Sequence, residues 1–283
     1  MAASPARGAG LTTLALCVAA GFPAAAHAAD VARVARPAAV GAIDARHATD
    51  VARVARPATV DISDTRAEHG RDQFALTRRA AHLAQVVIPT QVRGRPGAGA
   101  RRGRLGTEAR WGGGPVQLLV LRSALDDRGR RWLRVRLPER PNDRAGWILS
   151  DRTRISKTPW RIVISTRSRR MIVRRAGKRV RRFPAVIGAP ATPTPRGLFA
   201  ISERIRQSQG VLGPWALHLT AHSNVLDDYG GGKGRVAIHG RSGALLADPL
   251  GTARSHGCVR LDNRAVAWLA RRALEGTPVL IKR

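Results

Sequence analysis

Beyond Val86 the apolar residues come in short runs, each closed by glycine, proline or a cluster of charges. Runs of that length suit strands and are too short for core-building helices. Val86-Val87-Ile88, Val116–Leu121, Trp132–Leu137 and Gly146–Leu149 are expected as strands, separated by turns such as Arg95-Pro96-Gly97 and Asp126–Gly129. Trp132–Leu137 alternates apolar and basic residues, as a half-buried strand does. Trp160–Ser165 and Arg170–Arg174 read as a hairpin, followed by strands over Arg179–Ile187 and Leu198–Ile201. Residues 206–235 read mostly as loop, with Gly230–Gly232 as a flexible point. Only one segment has helical spacing: Val266, Leu269, Ala270 and Ala273, with Asn263 as the cap and the helix running from Arg264 to about Leu274. Pro278–Ile281 closes a sheet. The expected class is mainly β, with one or two short helices.

The N-terminus carries an export signal: Arg7, an apolar stretch from Leu11 to Phe22, and Ala26-His27-Ala28 as the cleavage site. Leu16 is large for the position before a lipidated cysteine, so cleavage after Ala28 is expected rather than lipidation at Cys17. Residues 29–83 form an Ala/Arg-rich linker, expected to be disordered, with a short helix possible towards its end. Within it, Asp30–Val40 returns as Asp50–Val60, with one substitution, at a period of 20. Two copies are too few for a solenoid. Residues 84–157 then form one β domain and residues 159–283 a second.

The formal net charge is +31, and 46 of the 50 basic residues are arginine. The arginines run along the whole chain with no helix-turn-helix, zinc-finger or ribonucleoprotein motif, so no specific nucleic-acid partner is expected. Such a charge draws the protein to an anionic cell wall or membrane surface. Cleavage of the signal leaves Cys258 as the mature protein's single thiol, so no internal disulfide forms in an oxidising compartment.

That thiol sits in Ser255-His256-Gly257-Cys258-Val259-Arg260, with His239 upstream at the end of Val236-Ala237-Ile238. A free thiol is only a few per cent ionised at neutral pH, so a nucleophilic cysteine needs a base or a positive neighbour. Both histidines are candidates. Gly257 allows a sharp turn that could aim the amides of Gly257 and Cys258 at one oxyanion. Arg260, two residues on, could hold a substrate carboxylate. His218 and His222 share a helical spacing, but Leu219 stands where a metalloprotease needs its glutamate, so no metal site is expected. Pocket lining suits His218. Trp215 and Tyr229 are candidates for lining a substrate groove, with core packing as the alternative for Trp215. Asp262 is a second candidate cap beside Asn263, with pairing to Arg260 as its alternative role.

The motif resembles the signature of the L,D-transpeptidase (YkuD-type) catalytic domain: a histidine, fifteen intervening residues, then Ser255-His256-Gly257-Cys258-Val259-Arg260. Thr192–Phe199 is similar to that family's turn before the site, with one extra residue before Gly197. The first β domain resembles a bacterial SH3-like barrel, best at Gly146-Trp147-Ile148. The resemblance implies a β-sandwich, Cys258 as nucleophile, and His239 as base held by a carbonyl near Gly240. It further implies His256, Gly257 and Cys258 as the oxyanion pocket, Ser255 as loop support, Arg260 holding substrate or bracing the motif, and no cofactor or metal. The implied substrates are peptidoglycan stem peptides, joined 3→3 with loss of D-alanine. Water as acceptor would give a carboxypeptidase, and loss of activity a wall-binding protein. A monomer is expected.

Overall fold

The computed structural model describes residues 72–228 and 234–283. The expected signal sequence, Cys17, the repeat and Tyr229 lie outside them. No helix among the described residues is long and apolar enough to cross a membrane.

Seven strands form the first unit: β1 Ala81–Val86, β2 Thr90–Arg93, β3 Arg101–Leu105, β4 Gln117–Leu125, β5 Arg131–Arg136, β6 Ala145–Leu149 and β7 Thr153–Thr158. They make one antiparallel sheet in the order β3-β2-β6-β5-β4-β1-β7. Its core is Val92, Leu118, Val120, Leu133, Val135 and Ile148, drawn from most of the strands, with Phe74 added from the preceding turn. The expected boundary at residue 84 falls inside β1. Residues 72–80 are turns rather than a helix, because Asp72 accepts hydrogen bonds from the Phe74 amide and from Ser123 and ties them to β4. Val87 and Ile88 lie outside the strand and are exposed.

The second unit contains β8 Trp160–Ser165, β9 Arg170–Arg175, β10 Lys178–Pro184, β11 Ile187–Gly188, β12 Gly197–Arg206, β13 Trp215–His222, β14 Arg235–His239, β15 Ala253–Ser255, β16 Val259–Arg260 and β17 Pro278–Lys282. The ladder runs β10-β9-β8-β17-β12-β13-β14-β16. β12 belongs to both halves of a sandwich. Gly197–Ala200 pairs with β17, and beyond the register shift between Ile201 and Glu203 the strand continues with β13. Ile162, Met171, Phe199, Leu217, Ile238 and Val279 fill the space between, and the helix α1 Asn263–Ala270 adds Val266 and Leu269.

Two expectations fail here. Residues 215–222 form a central strand, not loop, so His218 and His222 are not on a helix. No group of three or more potential metal ligands occurs among the described residues. The helix stops at Ala270, short of Leu274, and of the two candidate caps it is Asp262, as expected, that accepts from the Arg264 amide, at 2.9 Å, and not Asn263. Asn263 has different partners.

Candidate active site

β14 places His239 between two neighbours. Ala216 of antiparallel β13 stands opposite it on one side, and Arg260 of parallel β16 on the other. Alternation along the strands sends Leu217, Leu219, Val236, Ile238 and Val259 into the core. His218, His239 and Arg260 therefore stand on the other face. Cys258, half-buried, enters β16 beside the Ala237 backbone.

His239 is buried, and its Nδ1 lies 2.7 Å from the Gly240 carbonyl oxygen. A carbonyl only accepts, so Nδ1 carries the proton and Nε2 keeps its lone pair. Gly240 is held by close packing: a Cβ there would meet Asn263 Oδ1 at 2.3 Å. Asn263 accepts from the Arg241 amide at 2.7 Å and donates to the Arg241 carbonyl at 2.9 Å. Asn263, the other candidate cap, thus clamps the turn that anchors the histidine.

The cysteine loop is stapled from within and from outside. Ser255 Oγ, buried, donates to the Cys258 carbonyl and accepts from the Gly257 amide at 3.2 Å. Gly257 has φ 114°, a conformation that favours glycine. Its amide, expected as half of an oxyanion hole, is thus turned to Ser255, leaving the Cys258 amide from that pair. Thr194 Oγ1 donates to the Gly257 carbonyl at 2.9 Å and accepts from the Gly188 amide at 2.8 Å. Thr192 Oγ1 donates to the Ser255 carbonyl. The Thr192–Pro195 turn is the outer wall of the cysteine loop. Thr194→Val keeps the shape and removes both hydrogen bonds. It is expected to cost about 1–3 kcal/mol of stability, measured by chemical unfolding, with a parallel fall in turnover.

Arg260 is buried and its guanidinium contacts Asp248 Oδ2 at 2.5 Å. It is a brace with an internal partner, not an open hand for a substrate carboxylate. Its positive charge still acts on the site, favouring the Cys258 thiolate and disfavouring protonated His239. Burial is the larger effect on both. It raises the Cys258 thiol above its ordinary value, while a backbone hydrogen bond from Ala237 opposes the rise. It lowers His239 to about 4, against the Gly240 hydrogen bond. The resting pair at neutral pH is therefore a neutral thiol and a neutral imidazole.

His218 shares this face, with its pKa lowered to about 4 by burial first, then by Arg235 and His239. Its Nδ1 is buried without a partner. Both rings resist protonation that the unfolded chain accepts near pH 6.5. Stability is then full above pH 6.5 and falls as pH drops from 6.5 towards 4. Urea unfolding at pH 7.0 and 4.5 should show the loss, and His218→Leu should make the pH slope shallower.

His256 is exposed. Trp215 shares the parity of Leu217 and packs against the core, so it does not line the thiol's face. A cleft of about 740 Å³ opens farther along β14, at Arg235 rather than at Cys258, between the two units. There Glu203 accepts from the amides of Trp111 and Gly112, and Arg235 lies 4.6 Å from the Trp111 ring centre.

Residues 159–281 match the family model of the YkuD L,D-transpeptidase catalytic domain. Two curated proteins provisionally named L,D-transpeptidase YkuD are similar over the same region. The one from Bacillus licheniformis is 32% identical over 123 residues, 44% of this chain and 66% of the relative. The one from Bacillus subtilis is 29% identical over 125 residues, 44% of this chain and 67% of the relative. The chain thus spans about two thirds of these relatives. Among solved structures, L,D-transpeptidase 3 from Mycobacterium tuberculosis, in complex with a faropenem-derived adduct, aligns with a TM-score of 0.39 and 14% identity, over 59% of this chain and 91% of that one.

Proposed function

We propose that this chain, whose residues 159–281 form a YkuD-type L,D-transpeptidase catalytic domain, is an exported enzyme that joins peptidoglycan stem peptides through a Cys258 thioester. The observation that carries the reading is His239. Its Nδ1 is fixed on the Gly240 carbonyl, and its free Nε2 lies on the sheet face that holds the lone described thiol.

The chemistry follows from the neutral resting pair. With the Cys258 thiol raised and the His239 imidazole low, a standing thiolate is not the starting point. The thiol proton passes to His239 Nε2 as Sγ attacks the carbonyl of the third stem residue. Arg260 and the Cys258 amide favour the negative charge as it develops. The bond to D-alanine breaks, and the departing amine takes the proton from the imidazolium. The side-chain amine of a second stem then attacks the thioester and gives its proton to Nε2. The carbon–sulfur bond breaks, leaving a 3→3 crosslink and a restored thiol. Water in place of the amine gives carboxypeptidase activity. Ser255, Thr194 and Asn263 position the loop and the base, and no cofactor or metal is needed. The unit from Ala81 to Thr158 is the SH3-like barrel of this reading.

Acid-quenched intact-protein mass spectrometry after mixing with a tetrapeptide stem tests the intermediate. The expected result is an adduct equal to the stem less D-alanine, mapped to Cys258. An adduct elsewhere, or none while product accumulates, contradicts the thioester.

A further inference from the structure

The densest charge in the described residues lies on one hairpin outside the cysteine loop. Residues 167–182 hold nine cations and no carboxylate: Arg167, Arg169, Arg170, Arg174, Arg175, Lys178, Arg179, Arg181 and Arg182. They lie on the β9–β10 hairpin and the turn leading into it, and β10 is the free edge of the eight-stranded ladder. Every one except Arg174 is exposed. None of the nine ion pairs among the described residues uses any of them. Exposed Arg78 joins the patch at the hairpin tip, where its carbonyl oxygen lies 3.6 Å from a Cβ built on Gly177.

The pairing register makes the charge costly. Lys178 stands opposite Arg175, and Arg179 opposite Arg174. Like charges directly across a ladder are destabilising, and here no protein carboxylate relieves them. Three arginines have another use. Arg175, Arg181 and Arg272 lie over Trp160 and Trp268, capping the aromatic cluster beside α1. The opposite face is different. Met171 and Val173 point into the core, so Arg170, Arg174, Arg179 and Arg182 point away from it. On this face Arg170 and Arg174 flank Ile172, about 13 Å apart, and Arg182 and Arg179 stand opposite Ile172 and Arg174, about 4.8 Å away on the neighbouring strand, so the four line an extended edge.

We propose that this ribbon is a docking surface for a linear phosphate-bearing polymer. Guanidinium forks match phosphate oxygens in pairs, and an extended polyanion can follow the edge strand. Val180 is the single exposed large apolar residue on the ribbon, which favours a polymer held by charge over a bilayer that would bury apolar anchors. Beyond Pro184 the chain passes to Val186, whose amide donates to the Arg260 carbonyl at 3.0 Å, so the far end of the ribbon leads to the strand that follows Cys258. The inference adds an anchor to the proposed wall enzyme, but its physical basis does not depend on the reaction.

The test uses the full chain, long-chain inorganic polyphosphate as probe, and a salt series. One variant carries Lys178→Gln, Arg179→Gln and Arg182→Gln. A second loses the same charge elsewhere, through Arg101→Gln, Arg128→Gln and Arg154→Gln. The ribbon variant is expected to bind about tenfold or more weakly, with its log–log salt slope reduced by about 2. The second variant should bind as wild type. Polyphosphate should also raise the melting temperature of wild type but not of the ribbon variant, since it relieves the cross-strand repulsion. Equal weakening in both variants would overturn the proposal in favour of net charge alone, and unchanged binding in both would place the contact elsewhere. Tighter ribbon-dependent binding to phosphatidylglycerol vesicles than to polyphosphate would make the partner a membrane and overturn it too. Turnover of a soluble stem should be the same in all three proteins, so loss of that activity speaks to the enzyme and not to the ribbon.

Discussion

Cys258→Ala leaves a folded protein that no longer releases D-alanine from a tetrapeptide stem. The expected loss is about 10⁴-fold or more, because in the proposed reaction the thiol forms the covalent bond. The side chain is half-buried and makes no side-chain hydrogen bond to another side chain that the fold depends on. The melting temperature should therefore move by no more than about 4 °C. Release measured by a coupled D-alanine assay, beside a thermal melt, separates chemistry from folding. Persistent release by the alanine variant would remove Cys258 from the reaction.

The second large effect separates the two histidines. His239→Ala is expected to lower kcat/KM by about 10²–10⁴-fold, the usual range for a general base. His256→Ala should cost much less, because that ring is exposed, whereas His239 is buried and fixed on the Gly240 carbonyl. The pH dependence gives a second readout. His239 is lowered to about 4 by burial, so wild-type activity should hold down to near pH 4.5 and fall only as the pH drops through about 4. A larger loss in His256→Ala than in His239→Ala would assign the base to His256 instead.

Much of the scaffold could be read along the chain, since runs such as Trp160–Ser165 and Pro278–Ile281 have both strand length and apolar content. β13 was legible too, by alternation: Leu217, Leu219 and Ala221 on one face, His218, Thr220 and His222 on the other. Reading the two histidines by helical spacing hid that pattern. The same parity places Trp215 with the core residues. β2 and β3 escaped notice because Thr90–Arg93 and Arg101–Leu105 hold few apolar residues and form through edge pairing.

Local spacing could place Cys258 near Arg260 but could not supply the partners. Asp248 reaches Arg260 from a loop twelve residues away, and Thr194 reaches Gly257 from sixty-three. Such contacts are fixed by the fold of the sandwich and leave no periodic trace. Asn263 illustrates the same limit. A residue type suited to capping stood next to the true cap, Asp262, and its side chain was drawn off by the Arg241 backbone.

The most direct test of the central claim is mass spectrometry of muropeptides after the full chain is incubated with a tetrapeptide stem, wild type beside Cys258→Ala. The account predicts a dimer of stems joined 3→3 in the wild-type reaction alone. A dimer formed equally by both proteins, or wild-type conversion to tripeptide with no dimer at any acceptor concentration, would contradict transpeptidation through Cys258.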